Sequence, residues 1–184
     1  MIKACGRARF TADIRIPGAL ELAALRSPYA HARIVAVDVS RALEAPGVVG
    51  VMTARDVRGT NRLKYLIPDR PVLCEDRVRY MGDPVAVVAA ETREQAVHAL
   101  DKIQVDYERL PVLTDPLEAM TPDAVRIHDQ WPNLCFSQPL VKGDAPGALA
   151  GSEAVVEARF KTQINHQAPL EPEACVAFFE GEDD

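Results

Sequence analysis

The chain has 184 residues, 48% of them hydrophobic and 26% charged, which suits a soluble globular protein with one good-sized domain, or one domain and part of another. A formal net charge of −6 argues against nucleic acid as a partner, because phosphate binding needs a basic face. No run approaches the ~18–20 apolar residues of a membrane span, and the amino-terminal MIKACGRARFTADIRIPG lacks the continuous apolar core of a secretory signal.

In chain order, ALELAAL (19–25) and RIVAVD (33–38) read as strands, the second with Ile34, Ala36 and Asp38 set against Val35 and Val37. RSPYAHA lies between them, and Pro28 forces a turn there. SRALEA (40–45) reads as a short helix capped by Ser40 and stopped at Pro46-Gly47. VVGVM (48–52) is a further strand, and TARDV (53–57) a helical turn with Thr53 as its cap. Residues 58–72 are basic, contain two prolines and read as an exposed loop.

VRYMGDPVAVVAAE predicts a strand, a Gly82-Asp83-Pro84 turn, and a strand PVAVVAA that is apolar on both faces. Such a strand belongs in the middle of a sheet covered on both sides. ETREQAVHALDKI is the clearest helix: Thr92 and Gln95 make a capping-box pair, and Ala96, Val97, Leu100 and Ile103 share a face. IQVDYE (103–108) follows as a strand, so 84–108 reads as strand–helix–strand, the unit that permits parallel pairing. The expected class is α/β (α+β), a mixed sheet with short helices, over residues 1–120. No internal repeat of fixed period is evident.

From about residue 114 the composition turns to Pro, Gly, Asp and isolated apolar residues. Residues 121–150 read as an extended connecting segment draped over another surface, ending in a Gly143-Asp144 turn and a short helix. EAVVEARFKTQ (153–163) alternates as a strand, with EACVAFFE (173–180) as its antiparallel partner, so a second domain begins within 151–184.

Four cysteines, Cys5, Cys74, Cys135 and Cys175, stand far apart, with no C-x-x-C pair, which argues against zinc or an iron–sulfur cluster held by this chain. With no N-x-[ST] acceptor and no leader, reduced and mostly buried thiols in a cytoplasmic protein are expected. His166, Glu171, Glu173 and Cys175 crowd one stretch, and alternation can put the last three on one face. Pro172 interrupts that strand, and hard carboxylates with a thiolate make a mixed ligand set, so a structural polar cluster is the favoured reading. Ser27 and His31 lack a nucleophile elbow and a supporting acid; they read as polar turn residues, with Arg26 fixing the turn through a carboxylate or backbone carbonyls. His98 reads as an exposed or half-packed helix residue, and Asp83 as turn chemistry. Neither G-x-G-x-x-G nor a phosphate loop occurs. No catalytic, cofactor-binding or metal-ligating residue is assigned.

The segments GRARFTADIRIPGALELAALRSPYAHARIVAVDVSRALEAPGVVGVMTARDV and DRPVLCEDRVRYMGDPVAVVAAETREQAVHALDKIQVDYERLPV resemble the start of the molybdenum-binding region of the xanthine oxidase/aldehyde oxidoreductase family. PNLCFSQPLVKGD and FKTQINHQAPLEPEACVAFF are similar to bacterial aldehyde oxidoreductases in particular. The resemblance implies an α/β hammerhead domain over 1–120 and the first strands of a molybdopterin-binding domain over 151–184. It implies a whole enzyme that hydroxylates a C–H carbon with oxygen from water, turning an aldehyde into a carboxylic acid, with a glutamate as base. Molybdopterin and 2Fe-2S clusters would serve the full-length enzyme, with the remainder of the large subunit and iron–sulfur domains or subunits as partners. The family's glycine-rich molybdopterin loop, channel aromatics and catalytic glutamate lie downstream of the H-x4-E-P segment and have no counterpart here. The resemblance places Glu171 and Glu173 in the first strand of the cofactor domain, so they are not expected to be that base. The chain is expected to be a scaffold that binds no molybdopterin itself and stops inside a turn of a longer polypeptide. The alternatives are a free-standing interaction module of the same fold and a small metal-binding protein.

Overall fold

A computed structural model describes residues 2–64 and 66–178. The chain forms two compact units, one spanning Gly18–Ser137 and the other built from the residues before and after it. The larger unit holds six strands in two three-stranded sheets.

The first sheet has the order β1-β5-β3, from β1 (Glu21–Arg26), β5 (Pro84–Ala90) and β3 (Val48–Thr53), with every neighbour antiparallel. Ala86, Val88 and Ala90 of β5 point to a core closed by Ala42 of α1 (Ser40–Leu43) and by Ala96 and Ala99 of α2 (Arg93–Leu100). Alanine on both sides lets helix and sheet approach closely. The strand is central, as its unbroken apolar run predicts, yet among the described residues its second face is covered only at Val85, which packs into the other core, while Val87 and Ala89 are half-buried.

The second sheet has the order β4-β2-β6, from β4 (Arg77–Val78), β2 (Ala32–Asp38) and β6 (Gln104–Arg109), again antiparallel throughout. A register shift between Ile34 and Ala36 breaks the simple alternation of β2. Ile34 and Val37 thereby both pack inward, while Val35 and Ala36 are exposed.

The strand–helix–strand unit exists, but the expected parallel pairing within one mixed sheet does not form. Both edges of β5 are already taken by β1 and β3, so α2 delivers β6 to the other sheet. The Thr92–Gln95 capping box of α2 is present, with Gln95 N donating to Thr92 Oγ1 at 3.3 Å and Thr92 N to Gln95 Oε1 at 3.0 Å. Its buried stripe runs through Ala96 and Ala99 to Ile103, while Val97, expected on that face, is 44% exposed. The cap of α1 also differs: Val39 occupies that position, and Asp38 Oδ1 accepts from Ser40 N at 2.9 Å. Thr53 precedes a single helical turn over Ala54–Asp56 as expected, and Asp56 Oδ2 accepts from Thr53 N at 2.7 Å.

The loop over 58–72 is pinned rather than loose. Asn61 accepts from the backbone of Val72 and Leu73, donates to Leu73 O at 2.8 Å, and Arg62 pairs with Glu75. Beyond β6, Asp115 caps α3 (Pro116–Ala119), and Asn133 ties Ala119, Val125 and Ile127 together.

In the smaller unit, Asp144 caps α4 (Ala145–Ala150), the short helix expected after the Gly143-Asp144 turn. The strand expected over 153–163 and its partner over 173–178 are not formed: the described backbone there joins no ladder, with Val156 92% and Phe160 89% exposed. Alternation is a local signal, whereas a strand exists only where a second backbone satisfies its donors and acceptors. Residues 179–184, the end of that partner and its turn, lie outside the described residues.

Candidate functional site

Two connections pass side by side from one sheet to the other, Ser27–His31 from β1 to β2 and Arg79–Asp83 from β4 to β5. Backbone bonds stitch them together, with Ser27 N donating to Asp83 O at 2.9 Å and Gly82 N to Ser27 O at 2.8 Å. Asp83 N donates to Tyr80 O at 3.2 Å, closing a tight turn in which Gly82 has φ +97, a conformation that disfavours a Cβ. Arg26 Nη1 donates to Gly82 O at 2.9 Å, the carbonyl role expected of it.

Three polar side chains are buried at this corner: Ser27, His31 and Asp83, at 3%, 4% and 2% exposure. Ser27 Oγ donates to Tyr29 O at 2.9 Å and accepts from Tyr29 N at 3.0 Å, a local turn. His31 Nδ1 lies 2.7 Å from Pro111 O and must carry the proton, since a carbonyl only accepts. That bond, with Leu110 N donating to His31 O, clasps the end of β6. Asp83 Oδ2 accepts from Arg79 N at 2.8 Å. His31 Nε2 and Asp83 Oδ1 are buried without a protein partner among the described residues.

Cys74 and Tyr107 complete the corner. Cys74 is 2% exposed, and burial, reinforced by the Asp83 carboxylate, pushes its thiol up to about 12. The thiol stays protonated at neutral pH, which makes it a poor nucleophile there. Burial also raises Tyr107, opposed by its hydroxyl neighbour Ser27. Tyr107 and Arg109 alternate on one face of β6 and both meet Tyr29, through an edge-on ring contact at 5.2 Å and a guanidinium 4.6 Å above the ring. Apart from His31 Nε2 and Asp83 Oδ1, the corner's polar groups bond to backbone and hold two sheets in register. Ser27 and His31 serve separate bonds and make no nucleophile–base pair.

The other sequence candidates disperse. His166 is exposed, its Nδ1 accepting from Ala168 N at 2.9 Å, and Glu171, Glu173 and Cys175 are exposed as well. Among the described residues, no three His, Cys, Asp or Glu side chains gather in a way that could hold a metal. His98 is exposed on α2. The thiols depart from expectation: Cys5, Cys135 and Cys175 are exposed, and Cys74 alone is buried, because only Cys74 lies in a segment packed beneath a sheet. Asp83 and Cys74 are the residues that sequence reasoning undervalued; the sole signal was that Asp83 sits between a glycine and the proline that opens the central strand.

Two small antiparallel sheets exchanging strands at a pinned corner, with short helices over one face, define an α/β hammerhead. The family described as "Aldehyde oxidase and xanthine dehydrogenase, a/b hammerhead domain" matches residues 5–111, and the chain belongs to it. It is 41% identical, over 95% of its length, to a probable xanthine dehydrogenase subunit of Bacillus subtilis, and 37% identical, over 96%, to the aldehyde oxidoreductase of Megalodesulfovibrio gigas. A solved aldehyde oxidoreductase from Desulfovibrio gigas superposes on 83% of the chain with a TM-score of 0.75 at 36% identity, and the chain covers 18% of that structure. The chain spans 23% and 21% of the length of the two curated relatives.

Proposed function

We propose that this chain is the hammerhead portion of the large subunit of a molybdopterin-dependent oxidoreductase, one that hydroxylates aldehydes or related C–H substrates with water. The observation that carries this reading is near-complete coverage of the chain by segments of much longer oxidoreductases, aldehyde oxidoreductase among them. A relative at 36% identity is named a nicotinate dehydrogenase large molybdopterin subunit, and this supports molybdopterin as the cofactor of the whole. Its electrons would leave through 2Fe-2S domains or subunits, in a cytoplasmic enzyme. No helix among the described residues is long and apolar enough to cross a membrane.

The residues present do not fit the cofactor. The described residues gather no candidate metal ligands, each buried polar side chain of the corner is anchored to backbone through one atom, leaving only His31 Nε2 and Asp83 Oδ1 unpartnered, and no glycine-rich phosphate loop occurs. No chemical step is assigned to them. The role proposed for residues 1–120 is scaffolding: a rigid two-sheet body that shapes the approach to a centre built by other polypeptide, with 121–150 as the connection and 151–184 as the start of the cofactor domain.

The test is twofold. The reading frame beyond Asp184 is expected to continue into a glycine-rich molybdopterin loop, and the purified 184-residue chain to contain no stoichiometric molybdenum and oxidise no aldehyde. An immediate stop codon would favour the free-standing module, and molybdenum bound by the isolated chain would overturn the scaffold role.

A further inference from the structure

The first sheet has a second face. Alternation that sends Ala86, Val88 and Ala90 to the core sends Val87 and Ala89 of β5 the other way, together with Leu22 and Ala24 of β1 and Met52 of β3. The register sets Leu22 beside Ala89, and Val87 between Ala24 and Met52. None of the five is charged, and none packs against either hydrophobic core. Leu22 is 61% exposed and Met52 48%, with Ala24, Val87 and Ala89 half-buried. The solvated face of an antiparallel sheet is normally polar, and a central strand apolar on both sides is normally covered on both.

We propose that this outer face of the β1-β5-β3 sheet is a docking surface for an uncharged, apolar helix or strand of the same large-subunit polypeptide, outside these 184 residues. The proposal rests on the functional reading above and adds the face through which the scaffold engages the rest of the subunit. The size of the patch selects the occupant. Two six-residue strands and one of seven present roughly 300 Å², against ~800 Å² per partner in a stand-alone complex. That is too little to hold a second copy of the chain. It is enough for a tethered element, whose effective concentration reaches the millimolar range or above. The solved relative supplies the length: 82% of its chain lies outside the part this chain covers. The absence of charge excludes a polar or ionic partner, which would strand its own groups against Leu22 and Met52.

The experiment compares side-chain footprinting, by carbene labelling or methionine oxidation read by mass spectrometry, in the isolated chain and in the large subunit that contains it. Leu22 and Met52 are expected to react freely in the first and roughly tenfold more slowly in the second, as for groups that react only on local opening. Leu22→Glu and Met52→Glu are expected to leave the thermal midpoint of the isolated chain unchanged and to lower the yield of folded large subunit. Equal labelling in both proteins overturns the proposal. So does concentration-dependent protection in the isolated chain, which would make a second copy the occupant. Equal labelling in a subunit that contains molybdenum sinks the docking face alone. A reading frame that stops at Asp184 sinks the functional reading and this inference together.

Discussion

Cys74 shows how a single group can report on the whole corner. Its thiol has an ordinary value of 9.0 and is pushed up to about 12 in the folded chain, chiefly by burial and then by the Asp83 carboxylate. Below pH 9 both folded and unfolded chains hold the proton and the group contributes its full share of stability. Above it the unfolded chain gives up a proton that the folded chain retains, so stability falls by about 1.4 kcal/mol per pH unit until the folded thiol titrates. Tyr107, also raised from 10.0, acts with the same sign at higher pH. Cys74→Ala is expected to lose roughly 2 kcal/mol less than the parent between pH 9 and pH 11. Its cavity cost, in contrast, is the same at every pH. Urea unfolding of both proteins at pH 7, 9, 10 and 11 decides: parallel stability curves would mean that the thiol is not shielded as described. None of this could be read from the sequence, because Ser27, Cys74, Asp83 and Tyr107 meet only through the packing of two sheets.

At the scale of elements, the loop before β3 and the start of α2 form one unit. Gly47 has φ +75, and a Cβ built there would run into the end of the Gln95 side chain. Gln95 cannot swing aside freely, because its amide oxygen accepts from Thr92 N and Thr92 Oγ1 in the capping box. Gly47→Ala is therefore expected to cost about 1–2 kcal/mol for the backbone alone and about 1 kcal/mol more as the cap is broken. Because Thr92→Ala breaks the same cap, the double variant should lose less than the sum of the two. Strict additivity in chemical denaturation would show that loop and cap are independent. Several caps and turns were legible in the sequence because each depends on residues a few places apart: Thr92 with Gln95, Thr53 at the start of its helical turn, Gly82 before Asp83; the cap of α1 and the alternation over 153–163 were misread. What escaped was pairing. No local pattern reveals that β1 and β3 occupy both edges of β5, that a bulge turns Val37 inward, or that α2 rolls its stripe from Val97 to Ala99.

For the whole molecule, the same distinction between local pattern and pairing predicts how the chain yields to a protease. Gly18–Ser137 carries both sheets and both cores, whereas the described residues from 138 to 178 contain one six-residue helix and no ladder. Cleavage needs a segment that opens into the protease at low free-energy cost, and backbone that makes no ladder bonds has the least to lose. Trypsin at low ratio is expected to cut first after Lys142, Arg159 and Lys161, all exposed, and to trim the amino-terminal residues up to Arg15. A product retaining Gly18–Ser137 should then persist at least roughly tenfold longer than the intact chain. Arg58 and Lys64 are the rival sites, exposed in a loop that Asn61 and the Arg62–Glu75 pair hold in place. A mass-spectrometric time course separates the two orders of cleavage, and first cuts at Arg58 or Lys64 would contradict the division described here. In the large subunit proposed above, Arg159 and Lys161 should become resistant. EAVVEARFKTQ keeps the alternation of a strand, and an alternating segment without a partner among the described residues is protected only when another backbone pairs with it.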